Sequence, residues 1–365
     1  MTICDLALTM TPGLGVKGTV HLLECFGSAD EIFAATLEEI VARAALREDV
    51  ARRIVRREGM RAAEREAEYC RRHDIRMVAS TDEEYPPLLR LTSDYPHVLY
   101  VRGNVGALKL RTLSMVGTRE ISPSGHTLCD RLVGELACRI PDLCIVSGLA
   151  YGVDAACHRA ALACGARTVA VVANALPDVT PAPHRQLAEQ IVAEGGAIVS
   201  ELHSQTRQNG AFFLARNRIV AAMSQGLVVV ESPAAGGSLA TAAMADGYDR
   251  TVMALPGRAT DMVSRGTNNL IRNHKARLVM TADDIIEDMM WDTSATAAPA
   301  GNAGSGITLS AAEATLLACF TEGEIDRDRL ADASGLAPGE LSQLLMELEM
   351  KGAVRVLPGR RYEKV

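Results

Sequence analysis

Nine short apolar runs rich in β-branched residues recur between residues 75 and 280: IRMVAS, VLYVRG, LSMVG, LCIVSG, TVAVVAN, GAIVSE, GLVVVE, TVMALPG and RLVM. Most are separated by stretches with helical periodicity, long enough for a helix. A short apolar run without polar alternation reads as a strand buried on both faces. Strands divided by helices cannot close as hairpins, so they cross over and pair in parallel. The expectation is an α/β fold, a doubly wound and mostly parallel sheet with helices on both faces. In such a sheet the turns after the strands gather at the carboxyl edge, where ligands bind.

The flanks read differently. Residues 1–74 are helical in pattern and rich in Ala, Glu and Arg. Within them GLGVKG (13–18) matches the dinucleotide fingerprint GxGxxG, but Pro12 precedes it and no buried strand does. The stretch fits a helix-hairpin-helix better, with a glycine turn between short helices and a second turn at Phe26-Gly27. Given the acids around it, plain structure is expected there ahead of DNA contact. Residues 292–306, DTSATAAPAGNAGSG, cannot build a core and read as a flexible linker. Residues 307–365 offer two or three helices and a terminal hairpin, the pattern of a winged helix. The helix APGELSQLLMELEMKG carries Glu340, Glu347 and Glu349 against one lysine, which favours protein contact over groove reading. The expected domains are thus 1–74, 75–291 and 307–365.

A net charge of −7 argues, on its face, against a nucleic-acid partner. Yet residues 1–95 carry 17 acids and 13 bases, residues 306–365 carry 10 and 7, and the middle has 18 of each. The excess acid lies in the flanks, so the middle can still present a basic cleft. No apolar run reaches membrane-spanning length, and the N-terminal residues lack a basic signal-peptide region. Nine cysteines without a CxxC pair read as the reduced thiols of a cytoplasmic protein.

Four strand–glycine–helix units carry the chemistry. SMVGTREISPSG (114–125) runs a strand into Gly117, Thr118 and Arg119, after which Ser122 suits an N-cap and Pro123 the first helical position. Amides at the end of a parallel strand, beside a helix N-terminus, favour an anion. A tight turn with a solvated arginine is the plainer alternative. No GK[ST] follows, which excludes a nucleoside-triphosphate loop. SGLAYGVDAACHRAAL (147–162) repeats the arrangement: Ser147 leads in, and Gly148 and Gly152 let the backbone approach a ligand. Asp154 and His158 are too few for a metal site, so Asp154 is expected to cap the helix and His158 to be hydrogen-bonded. ESPAAGGSLATAAMADG (231–247) places Gly237, Ser238 and Thr241 at a third helix start. TVMALPG and SRGTNNLIRN (264–273) add Arg265 and Asn268. One such loop is weak evidence, but four on one edge point to a polyanion or nucleotide.

FFLARNRIVAAMS (212–224) poses a separate question. Aromatics make up 4% of the chain, so the Phe212-Phe213 pair is conspicuous. On a helix Arg216 shares a face with Phe212, Phe213, Ile219 and Met223. A charge on an apolar stripe needs a partner, and no Asp or Glu occurs between Glu201 and Glu231. Either a distant acid or a ligand must serve.

The runs VGTR, SGLAYGVDAACHRAAL, FFLARNRIVAAMS, GGSLATAAMADG, ALPG and SRGTNNLIR, in this order and spacing, resemble the motifs of the DNA-processing protein A (DprA, or Smf) family. The resemblance covers about residues 75–290, with looser similarity in both flanks. It implies an extended Rossmann-like domain that binds single-stranded DNA and passes it to the RecA recombinase, displacing single-strand-binding protein during natural transformation. It also implies a homodimer with no enzymatic activity, cofactor or metal. By resemblance Arg119 would grip a phosphate, and Phe213, Arg216, Asn217 and Arg218 would line the strand path. The arginines would sit at a helix start and Phe213 would offer a stacking surface. Gly117, Thr118, Ser147, Gly148, Gly237, Ser238, Thr241, Arg265 and Asn268 would contribute from the glycine loops. Leu214 stands where the family usually has proline, and ESPAAGGSL replaces a commoner glutamate–serine–glycine pattern; both touch loop shape rather than donors.

An aromatic shelf beside phosphate-binding loops suits single strands, since stacking tolerates any base and no basic helix is offered to a major groove. The competing reading is enzymatic, because the same fold and a GG-x-x-x-T stretch occur in nucleotide phosphoribohydrolases. Those need a glutamate shortly after their glycines, whereas GGSLATAAMAD has none and Asp246 lies well along the helix. Binding is the favoured reading.

Overall fold

The computed structural model describes residues 1–291, 311–320, 325–350, 354–357 and 361–364. The expected linker, 292–306, lies outside them. The chain forms two compact units, residues 1–296 and 297–365.

Each of the nine apolar runs forms a strand: β1 (Arg76–Ala79), β2 (Val98–Gly103), β3 (Arg111–Val116), β4 (Leu143–Ser147), β5 (Arg167–Val171), β6 (Ala197–Ser200), β7 (Gly226–Val229), β8 (Thr251–Ala254) and β9 (Arg277–Leu278). They make one sheet in the order β1-β2-β6-β5-β4-β3-β7-β8-β9. β3 to β9 pair in parallel, while β1 with β2 and β2 with β6 are antiparallel. From β3 the chain winds outward to β6, then returns to place β7 on the other side of β3. This reversal opens a crevice between the carboxyl ends of β3 and β7, the switch point of a doubly wound sheet.

The two-residue period of a strand supplies both faces of the core. Leu143 and Ile145 of β4 pack with helices Pro123–Arg139 and Val153–Ala163. Cys144 and Val146 pack on the other side with helices Ala211–Ala222 and Gly237–Gly247. Each aliphatic side chain so buried contributes about 1.5–3 kcal/mol. Helix Pro123–Arg139 begins as its sequence predicts, with the Ser122 hydroxyl accepting from the Gly125 amide and Pro123 at the first position.

Six helices, Ile3–Thr9, Val16–Phe26, Ala29–Ala34, Leu37–Ala44, Glu48–Val55 and Met60–Arg72, precede the sheet. The two expected turns are present, the second at Gly27 with φ +90°. The boundary expected at residue 74 does not separate two compact units. The helices share a core with Val98, Tyr100, Ile198 and helix Arg185–Ala193. Buried polar links reinforce it: His97 Nε2 lies 2.9 Å from Asp5 Oδ1, and Ser204 N donates to Glu66 Oε1 at 2.8 Å. Helices this short cannot bury their apolar faces among themselves alone, so they lean on the sheet.

In the second unit, helices Ala311–Ala318, Arg327–Ser334 and Pro338–Met350 accompany strands β10 (Ile325–Asp326), β11 (Val354–Leu357) and β12 (Arg361–Lys364). The strands form an antiparallel sheet in the order β10-β12-β11 over a core that includes Leu316, Leu330, Leu341, Leu345 and Leu348. Three helices with a terminal hairpin are the expected winged helix.

Candidate nucleic-acid interface

The switch point holds an open crevice of ≈ 540 Å³. Three of the four glycine units meet there: Gly117, Thr118 and Arg119 after β3, Ala150 and Asp154 after β4, and Gly236, Gly237, Ser238 and Thr241 after β7. Phe213, Leu214, Arg216 and Asn217 of helix Ala211–Ala222 close the remaining side. Backbone packing explains two of the glycines. A Cβ on Gly117 would stand 2.7 Å from the Glu231 carbonyl oxygen, and one on Gly152, at φ +75°, 2.6 Å from the Arg119 carbonyl carbon. Thr118 N donates to Glu231 O (2.7 Å) and Val153 N to Thr118 O (3.1 Å), which ties the three loops together.

Arg119 is exposed at the mouth, its guanidinium carbon 5.9 Å from the centroid of the half-buried Phe213 ring. An exposed cation beside an aromatic face can meet a phosphate and an adjoining base. The loop that carries Arg119 is held from behind by Glu231, which opens the motif at 231–247 but was given no role there. Its Oε2 accepts from Ser122 N at 2.9 Å and its Oε1 from the Ser122 hydroxyl. The signal available was an acid directly after a fully apolar strand, where a charge is costly without a partner.

Arg216 is buried in the middle of its helix, not at a helix start. Its Nη1 donates to the carbonyl oxygens of Gly148 and Val171, and its Nε donates to Asn217 Oδ1 at 3.2 Å. The partner is therefore the ends of β4 and β5. Burial lowers the Arg216 pKa, while the charge of Asp154 opposes that shift. Burial likewise raises Asp154 against the attraction of Arg216. Asp154 is not the helix cap either. It lies in the first turn after Gly152 and reaches back, accepting from Gly148 N (3.2 Å) and Ala150 N (3.3 Å). This shapes the loop that forms one wall of the crevice.

Arg218 does not line the crevice. Two residues along a helix turn a side chain through about 200°, so Arg218 points away from Arg216. It pairs instead with Glu201, both side chains nearly buried. The distant acid stands at the end of β6. Ser147 is also withdrawn, its buried hydroxyl donating to Met115 O at 2.6 Å. Asn268 brackets Gly257, donating to its carbonyl (3.0 Å) and accepting from its amide (3.1 Å). Arg265 approaches the sulfur of Met262 at 3.6 Å. These two support the loop 256–264, which lines a neighbouring hollow of ≈ 890 Å³ with Ser122 and Glu231.

His158 Nδ1 lies 2.6 Å from the Thr168 hydroxyl, which itself donates to Ile145 O at 2.8 Å. The hydroxyl proton is thus engaged, so Nδ1 must be the donor and Nε2 carries the lone pair. Burial, followed by the cationic surroundings of His184, Arg216 and Arg159, pulls the His158 pKa down to about 3.

The profile of the family described as DNA recombination-mediator protein A matches residues 76–290, and that of the DprA winged helix domain matches residues 296–360. Protein Smf of Escherichia coli is 34% identical over 288 residues, 78% of this chain and 76% of its own length. The putative DNA processing protein DprA of Mycobacterium tuberculosis is 35% identical over 320 residues, 84% of this chain and 81% of its own. The X-ray structure of DNA processing protein A from Streptococcus pneumoniae superposes with a TM-score of 0.66 at 28% identity, covering 79% of this chain and 98% of that one. The Helicobacter pylori DNA processing protein A structure, described for its single-stranded DNA binding mode, superposes with a TM-score of 0.53 at 27% identity over 59% of this chain and 95% of that one. Two profiles that together span the sheet and the winged helix, and relatives alike over most of their length, agree: the chain belongs to the DNA recombination-mediator protein A family, the DprA/Smf proteins.

Proposed function

We propose that this protein binds single-stranded DNA in the switch-point crevice, in the cytoplasm, and delivers it to a RecA recombinase during DNA uptake. The observation that carries the reading is the pairing of exposed Arg119 with the Phe213 ring at the mouth of a glycine-walled crevice. A cation and a flat apolar face, side by side, match the alternation of phosphate and base along one strand. The Helicobacter pylori relative, whose structure is described for single-stranded DNA binding, supports the same reading. Handing over to RecA, displacing single-strand-binding protein and working as a homodimer belong to this proposal. So does activity by binding alone, without turnover, metal or cofactor. No helix among the described residues is long and apolar enough to cross a membrane.

Titrating labelled oligothymidine and a duplex of equal length with the full chain, and with residues 1–291, tests the proposal. Tight binding of the single strand by both proteins is expected, with weaker binding of the duplex. Equal affinity for both DNA forms would overturn it. Acceleration of RecA filament growth on strands coated with single-strand-binding protein tests the delivery step.

A further inference from the structure

Tyr151 is 48% exposed, and every other Phe, Tyr and Trp among the described residues is buried or half-buried. It follows Ala150, a lining residue of the crevice, and precedes Gly152, whose backbone packs against Thr118 and Arg119. The segment that presents it is held from four sides. Asp154 accepts from the amides of Gly148 and Ala150, and Arg216 donates to the Gly148 carbonyl. His184 Nδ1 lies 2.8 Å from the Leu149 carbonyl oxygen, and Val153 N donates to Thr118 O. Leu149 itself, fully buried, is forced to φ +58°, a left-handed conformation that leucine rarely adopts. The His184 ring then packs against the Tyr151 ring at 63°, with 4.9 Å between centroids. The result is an aromatic ring fixed in place yet left open to solvent, on the loop whose preceding residue, Ala150, lines the crevice.

We propose that Tyr151 is a second base-stacking platform, taking a nucleobase of the strand where it leaves the crevice past Ala150. The proposal rests on the reading of the crevice as a single-strand site. A solvent-exposed tyrosine needs no such scaffolding to be tolerated, whereas a stacking surface gains affinity from being immobilised before the ligand arrives. The strand path then runs from Phe213 past Arg119 to the loop after β4. The tyrosine ring takes part through its face, so its hydroxyl is dispensable.

The test is the binding of oligothymidine, and of the same strand carrying abasic sites, to Tyr151→Ala, Tyr151→Phe and Arg119→Ala proteins at several salt concentrations. Tyr151→Ala should weaken oligothymidine binding about 5- to 150-fold, the equivalent of one stacked base, with an unchanged salt slope. Tyr151→Phe should bind like the wild type, and the Tyr151→Ala deficit should vanish on the abasic strand. Wild-type affinity in Tyr151→Ala beside a weakened Arg119→Ala overturns the second platform and leaves the crevice reading standing. A deficit that persists on abasic DNA, or that Tyr151→Phe shares, also overturns stacking. If neither Tyr151→Ala nor Arg119→Ala weakens binding, the crevice reading falls as well.

Discussion

The guanidinium of Arg216 occupies the space that a side chain on residue 148 would take: it donates to the Gly148 carbonyl, and a Cβ on Gly148 would stand 2.6 Å from its Cζ. The two residues are thus one structural unit at the base of the crevice, and Arg216 holds in place the wall that it helps to line. Arg216→Ala strands the buried carboxyl of Asp154 and two carbonyl acceptors. It should cost roughly 3 kcal/mol, because buried carbonyl acceptors lose their donor and a buried carboxyl loses a nearby compensating charge. Gly148→Ala should destabilise in the same direction by displacing the guanidinium. Urea unfolding measures both. An Arg216→Ala protein of wild-type stability that has lost DNA binding would show instead that Arg216 touches the strand.

Arg119 and Phe213 should separate by salt. Arg119 is exposed and carries no fold, so Arg119→Ala should change stability by less than about 0.5 kcal/mol. It should also shrink the slope of log affinity against log salt by about 0.7, because one phosphate of the single strand keeps its counterions. Phe213→Ala should lower affinity with little change in slope, because stacking releases no counterions. A folded Arg119→Ala protein with wild-type affinity and slope would refute the phosphate role.

Arg218 should behave as a structural residue. Its pairing with Glu201 is nearly buried, and burial already raises the Glu201 pKa against the attraction of Arg218. Arg218→Ala leaves that carboxyl uncompensated and should cost about 3–5 kcal/mol. The salt slope of DNA binding should stay at its wild-type value. The double variant Arg218→Met with Glu201→Leu should recover part of the stability, since removing both charges leaves neither stranded. A reduced salt slope in a stable Arg218→Ala protein would contradict this assignment.

His158 should make the fold acid-labile. Its ordinary value is 6.5, and in the fold it is held at about 3 by burial and then by neighbouring positive charge. Below pH 6.5 the unfolded chain takes up a proton that the folded chain refuses, so stability falls as the pH drops from 6.5 towards 3. Replacing His158 with Gln should flatten this dependence, whatever it costs at neutral pH. Denaturant midpoints at about pH 7 and about pH 5 would show it; equal losses in wild type and variant would refute it.

Much of the fold was legible because its signals are local. Each apolar run lies within the length of one strand, and Ser122-Pro123 caps its helix using the amide of Gly125 three residues on. The convergence of glycine turns at a carboxyl edge followed from parallel pairing alone. The packing of the N-terminal helices against the sheet was not legible, because amphipathic helices reveal that they have an apolar face, not what covers it. Arg265 and Asn268 were assigned to the crevice because strand order cannot be read from the chain. β8 turns out to lie one strand beyond the switch point, beside β7 rather than β3.

The amino-acid sequence by itself determined the strands, the Ser122 cap, the glycine turns and the need of Arg216 and Arg218 for partners. Only the tertiary structure decided who those partners are. Arg216 meets carbonyls 68 and 45 residues away, and Arg218 meets an acid 17 residues away at the end of a strand. The free energy of a charge depends on what surrounds it in space, and at those separations the surroundings are set by sheet order and helix rotation. Three arginines that look alike in the chain therefore part company in the fold: one under the wall, one in a buried ion pair, and Arg119 open to solvent.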